Sequence, residues 1–105
     1  MKINDDSNVT LINLFSVPQE IEHEFVKSWH KTAEQMKQQP GFIDTKLHRN
    51  LVTDGKFQFI NIAHWTTAED FKQAQSKVEI FEQQLDIEAM PSLYCVEAKY
   101  KYSQD

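Results

Sequence analysis

The sequence predicts a two-layer α+β domain, with elements in the order strand, helix, strand, strand, helix, strand. Three observations carry that prediction. Apolar residues recur at helical spacing over residues 18–40 and again over 66–78, and alternating runs flank both. Asp54-Gly55 lies between two alternating runs, as in an antiparallel hairpin. A chain of 105 residues with 40% hydrophobic content can bury one core. It is too short for a doubly wound nucleotide fold with a separate substrate domain.

The elements follow in order. Residues 1–8 are polar and read as a loose arm, so the domain is expected over 9–102. Val9 to Phe15 has the length of a strand, with apolar side chains on both faces: Val9, Leu11, Asn13 and Phe15 on one, Thr10, Ile12 and Leu14 on the other. Asn13 is the polar exception. Pro18 suits a first helical turn, and Glu20, Glu22 and Glu24 complement the positive end of a helix dipole. Ile21, Phe25, Trp29, Ala33 and Met36 then form one apolar stripe, ended by Pro40-Gly41.

Phe42 to Arg49 reads as the second strand, with Asp44 and Lys46 on one side and Ile43, Thr45 and Leu47 on the other. A turn through Thr53 to Lys56 leads into a third strand, Phe57 to Trp65. There Phe57, Phe59, Asn61, Ala63 and Trp65 share a face. Thr66 and Glu69 have capping-box spacing for a second helix that turns Phe71 and Ala74 inward. Residues 76–90 predict a short helix or two and a crossing loop, and the run after Pro91, from Ser92 to Tyr102, predicts the last strand.

That order defines a ferredoxin-like βαββαβ fold with an antiparallel sheet. Two helices cover one face of four strands. The other is expected to display Phe57, Phe59, Trp65 and Phe15, an apolar area larger than a monomer usually exposes. Two sheets packed together in a homodimer, a dimeric α+β barrel, solve that problem.

Composition excludes several function classes. The net charge is −5, from 16 acidic and 11 basic residues, and the basic ones form no stripe. A nucleic-acid backbone or an anionic membrane surface is therefore not the expected partner. Cys95 is the single cysteine, so no internal disulfide or thiolate cluster forms. The N-terminal residues lack the apolar run of a signal peptide, which places the expectation in the cytoplasm. With two glycines there is no phosphate-cradling loop. Of His23, His30, His48 and His64, the last two could meet across the hairpin but lack a carboxylate partner there, so they read as surface or half-buried residues, with no metal site.

Asn13, Asn61 and Trp65 make a chemically suggestive set. Asn61 and Trp65 are four apart on one strand and so share a face. An amide there can hold a polar substrate atom while an indole packs on a flat ring. The alternative is structural: Asn61 bonds to a neighbouring strand and Trp65 caps the core.

With these residues in view, the chain resembles the antibiotic biosynthesis monooxygenase family. The resemblance runs from about Val9 to Phe81. It is carried by VTLINLFSVP, by the helix EFVKSWHKTAEQMKQQPGF with its PGF turn, and by LHRNLVTDGKFQFINIAHWTTAEDFKQA. It implies a dimeric ferredoxin-like barrel. Family members include cofactor-independent oxygenases of polycyclic phenols, quinol-handling enzymes and haem-degrading enzymes.

For the phenol oxygenases the resemblance implies Asn61 and Trp65 as catalytic residues; Asn13, which with Trp65 matches an Asn and a Trp used by the haem-degrading branch, is expected to bind substrate beside them, together with Phe59 and Phe71. The family places a Tyr near the start of the second helix, where this chain has Phe71, and a basic residue beyond it, where residues 76–90 hold only Lys77. The haem-degrading branch uses an axial His from the second helical region. No His lies between Thr66 and Asp105, so haem ligation of that kind is not expected.

The leading expectation is a monooxygenase acting with molecular oxygen, and no metal or flavin, on a small aromatic, phenolic or quinol substrate. The sequence names no general base for it. The alternative is a non-catalytic small-ligand-binding or stress-associated protein of the same fold. A purely structural module would contain no cavity.

Overall fold

The computed structural model describes residues 8–103; the polar arm, all but its last residue, lies outside the described residues. Four strands, β1 (Val9–Ser16), β2 (Phe42–Arg49), β3 (Phe59–Trp65) and β4 (Glu88–Tyr94), form one sheet in the order β2-β3-β1-β4. Every neighbouring pair is antiparallel. Helices α1 (Glu22–Met36) and α2 (Ala68–Lys77) complete the fold, with short 3-10 turns at Gln19–Ile21 and Phe81–Gln84. This is the ferredoxin-like α+β fold that the pattern predicts.

The core divides into two clusters. Leu11, Ala63, Trp65, Phe71 and Ala74 form one, and Phe15, Val17, Phe25 and Phe59 form the other. Phe25 of α1 meets Phe15 and Phe59 at ring-centroid distances of 4.8 and 5.0 Å, so α1 is pinned to the two central strands by aromatic contacts. Trp65, 1% exposed, sits edge-on between Phe42 and Phe71.

These contacts overturn the predicted facing of the sheet. Phe15, Phe59 and Trp65 lie beneath the helices, and Phe57 precedes β3 in the hairpin loop. The other face instead carries Thr10, Ile12, Leu14, Ile60, Ile62 and His64, alongside Met90 and Tyr94 of β4. Both faces of β1 and β3 are apolar, so alternation alone did not settle the choice. Bulk did: aromatic rings fill the deep space under a helix, while β-branched and aliphatic side chains cover the flatter face.

Three further details differ from the sequence pattern. β4 begins at Glu88 and contains Pro91, which an edge strand tolerates because its missing N–H is not required by an outer neighbour. Beyond Tyr94 the chain pairs with no strand among the described residues, so the strand expected to run to Tyr102 ends early. The α2 cap is Thr67, whose Oγ1 accepts from the Asp70 N–H at 3.0 Å, while Thr66 Oγ1 donates to the Asp70 carboxylate at 2.7 Å.

Two local irregularities position side chains used below. A bulge at Ile43 lets both Phe42 and Thr45 face the helices, with Asp44 turned to the open face. Gly41, at φ +87°, makes the sharp return from α1 into β2 and accepts the Thr66 N–H at 2.8 Å.

Candidate functional site

Between the sheet and α1, closed by α2 and the Phe81–Gln84 turn, lies a cavity of about 300 Å³. Its wall is mostly apolar, with Leu11, Phe15, Met36, Phe42, Ala63 and Trp65 among the lining residues. Polar side chains also reach it, Gln75 and Gln83 among them. Asn13 and Asn61 enter it side by side, because they are register partners on adjacent antiparallel strands and therefore share a face.

The two amides are in different states. Asn61 Oδ1 accepts from the Thr45 hydroxyl at 2.6 Å and from the Trp29 indole N–H at 3.2 Å. An indole nitrogen only donates, so its partner on Asn61 is the oxygen. Both lone pairs of that oxygen are taken. Among the described residues no protein acceptor sits on Asn61 Nδ2, whose two N–H groups remain for a ligand. Asn13 Oδ1 is buried and has no hydrogen-bond partner. A buried acceptor left unpaired costs about 1–3 kcal/mol, so a bound donor has a ready place there.

A further polar group belongs to the turn before β4. Glu82 lines the cavity at 7% exposure. The Thr32 hydroxyl of α1 donates to Glu82 Oε1, and Thr32 Oγ1 in turn accepts the Phe81 N–H at 3.0 Å. Burial raises the Glu82 carboxyl above the ordinary value of 4.5, while the Thr32 bond and its own backbone N–H act in the opposite direction. Among the described residues it is the single titratable side chain on the cavity wall.

The predicted site residues thus fall into two groups. Asn13, Asn61, Trp65 and Phe71 converge on the cavity. Phe59 does not: its ring is packed in the second core cluster at 2% exposure, with the Arg49 guanidinium 4.6 Å from its centroid. The structural role weighed for the pair is also present, since Asn61 does bond a neighbouring strand and Trp65 does sit in the core. The two roles coincide, because the core itself contains the cavity.

Trp29, Thr32, Thr45 and Glu82 were not singled out by sequence. A polar residue on the apolar stripe of α1, at the spacing Phe25, Trp29, Thr32, Met36, is the signal that marks Thr32. Nothing local marks Glu82, which lies 50 residues from its partner.

Among the described residues no histidine lines the cavity, so its wall does not fit haem held by an axial imidazole. His64, expected to lack a carboxylate, meets Asp44 at 2.6 Å on the open sheet face. The described residues hold no group of three or more His, Cys, Asp or Glu arranged for a metal ion. Among them, too, no helix is long and apolar enough to cross a membrane.

Fold and cavity together define a small α+β domain with a partly open, mostly apolar pocket between sheet and helices. The family model for antibiotic biosynthesis monooxygenases matches residues 8–82, and the chain belongs to that family. A crystal structure from Shewanella loihica PV-4, provisionally assigned as a monooxygenase, is similar at 35% identity and a TM-score of 0.77, covering 88% of this chain and 96% of that one. SnoaB, a cofactor-independent oxygenase from Streptomyces nogalater, superposes at a TM-score of 0.69 and 24% identity, over 92% of this chain and 98% of its own. A heme-degrading protein from Mycobacterium tuberculosis shares the fold at a TM-score of 0.67 and 22% identity, over 90% and 97%. No curated protein sequence matches the chain at the stringency required.

Proposed function

We propose that the protein is a monooxygenase that acts on a phenolic or quinol substrate of two or three fused rings, using molecular oxygen and no resident cofactor. The observation that carries this reading is the amide pair: an unpaired buried acceptor on Asn13 beside free donors on Asn61, inside an apolar cavity. A phenolic O–H supplies the donor that Asn13 lacks, and the Asn61 N–H groups are suited to the oxyanion that forms when a second phenolic oxygen of the substrate loses its proton. The cavity size agrees. An apolar cavity of about 150 Å³ takes benzene, and this one is about 300 Å³.

The reaction balances without a further reductant. A ring CH₂ activated by the neighbouring phenolate gives its electrons to O₂; one oxygen atom becomes the C=O of the quinone and the other leaves as water. The protein supplies orientation and a dry, apolar enclosure. The cofactor-independent oxygenase SnoaB, similar in fold, supports the class of chemistry.

The same reading extends to a homodimer. Ile12, Leu14, Ile60 and Ile62 are only half-buried on the open sheet face, and Met90 and Tyr94 are 57% and 51% exposed. A second copy packed on this face covers them, and its sheet offers an edge for the unpaired run after Tyr94. Phe71 favours a second reading, a ligand-binding protein without turnover, since a phenyl ring has no hydroxyl to move a proton.

Oxygen uptake with 1,8-dihydroxyanthrone in air separates these readings. Wild-type protein is expected to consume oxygen and to sediment as a dimer. Asn61→Ala and Trp65→Phe are expected to lose uptake while remaining dimeric. Saturable binding without uptake selects the ligand-binding reading. Unchanged rates in both variants make the two side chains packing only, and a monomeric wild type removes the dimer.

A further inference from the structure

The oxygenase reading still lacks a proton acceptor, and the cavity contains one candidate. Glu82 reaches it from the turn that closes the space between α2 and β4, a segment with no catalytic signature in sequence. Its surroundings are unlike those of a structural ion pair. From α1 it is met by the Thr32 hydroxyl, and from its own turn by its own backbone N–H. No charged side chain among the described residues contributes to its titration, and Lys31 on the next position of α1 instead lies over the Phe81 ring at 5.4 Å. A buried carboxyl without a counter-ion is costly to maintain and is a recurrent mark of a working acid or base.

The Thr32 hydroxyl gives the carboxyl a hydrogen-bond donor. A hydroxyl has one proton to give. The Phe81 N–H occupies an acceptor site of Thr32 Oγ1, and the hydroxyl proton points at Glu82. Thr32 thus presents a donor to Glu82, which suits the carboxylate form. α1 also ties this group to the amides: Trp29, which grips Asn61, and Thr32, which grips Glu82, are one turn apart on the same helix face.

Resting on the cavity as a phenol-oxidising site, we propose that the Glu82 carboxylate is the proton acceptor of the reaction, with Thr32 as its positioning residue. The phenolic O–H bond breaks as the Glu82 O–H bond forms, and the electron pair stays on the substrate oxygen. The proton later leaves in the water produced when O₂ is reduced. The elevated pKa fits this task, because a base closer in strength to a phenolate takes the proton more readily than an ordinary carboxylate does.

The test uses the full chain and two probes. Dihydroxyanthraquinone, already oxidised and coloured differently as its anion, reports whether a phenol binds deprotonated; dihydroxyanthrone reports turnover. Wild-type protein is expected to bind the first probe as the anion below the pH at which it ionises in water. Glu82→Gln, nearly isosteric, is expected to bind it neutral and to lower oxygen uptake about 100-fold or more. Because the base works only when ionised, wild-type kcat/KM falls as pH drops through the raised Glu82 pKa. Glu82→Gln loses that acidic limb. Thr32→Val removes a bond that favours the carboxylate, so it moves the limb to higher pH, which a merely structural role would not do.

Anion binding and an acidic limb that persist in Glu82→Gln overturn the proposal. A wild type that ionises the quinone probe but takes up no oxygen leaves Glu82 as the acceptor and removes the oxygenase reading. A wild type that binds the probe only in its neutral form overturns Glu82 whether or not oxygen is consumed, and one that neither binds the probe nor consumes oxygen overturns both.

Discussion

The Asn61 amide works as a fixed donor only if its oxygen is held, and Thr45→Val tests that directly. Valine keeps the β-branched shape and the strand preference of threonine, so the backbone of β2 has no reason to move. What disappears is the 2.6 Å bond to Asn61 Oδ1, leaving the longer 3.2 Å indole bond alone. One such bond contributes about 1 kcal/mol net. For a domain near 100 residues that corresponds to a fall in Tm of roughly 4–8 °C. If the same interaction orients the amide toward the substrate, about 1 kcal/mol is also about fivefold in kcat/KM. Circular dichroism melting and oxygen uptake measure the two effects on one preparation. The decisive control is the double variant: with Asn61→Ala already present, Thr45 has no amide to hold, and Thr45→Val is expected to cost almost nothing further. An equal loss of Tm in both backgrounds would refute the reasoning, since the hydroxyl would then be acting elsewhere.

Gly41→Ala is expected to lower stability by about 1–2 kcal/mol from the positive φ alone, and by more because the added Cβ runs into the Asp70 side chain; a urea midpoint shift measures it, and Asp70→Ala in the same chain is expected to recover only the carboxyl part of the clash, because the Cβ of residue 70, 2.5 Å from the added one, stays in place. Asn13→Leu removes an unpaired buried oxygen, so it is expected to raise stability by about 1–2 kcal/mol while abolishing binding of the dihydroxyanthraquinone probe. A destabilised Asn13→Leu chain would mean that the amide is already satisfied in the folded protein.

Element order was legible because it depends on local periodicity. The stripe Phe25, Trp29, Met36 and the alternation from Phe59 to Trp65 each specify their element without reference to the rest of the chain. Facing was not legible, because Leu11 and Phe15 compete with Ile12 and Leu14 on equal terms in a hydropathy pattern. Only the volume beneath α1 separates them. Pro91 misled in another way: it marks a break in a central strand, and that β4 is an edge is a fact of topology. The site divides along the same line. Asn61 and Trp65 stand out as an amide and an indole on one strand face. Thr32 and Glu82 gain meaning from a contact across 50 residues, which no window of sequence contains.

The position of the amide pair also explains why a chain this small keeps a cavity at all. Reading along β1, Leu11 belongs to one core cluster and Phe15 to the other, with Asn13 between them. Along β3, Ala63 and Phe59 flank Asn61 in the same way. The two amides therefore occupy the row where a continuous apolar core would otherwise close. Side chains that need hydrogen bonds do not interdigitate like leucines, and the neighbours that satisfy Asn61 come from β2 and α1. Trp29 holds α1 at a distance set by an indole reaching across to a strand. One turn further on, Thr32 does the same toward the closing turn. Helix and sheet are thus spaced by polar contacts at the middle of the domain and by aromatic contacts at its ends. The cavity follows from that spacing, so substitutions that break the Trp29 or Thr32 contacts act on its shape as well as on its chemistry.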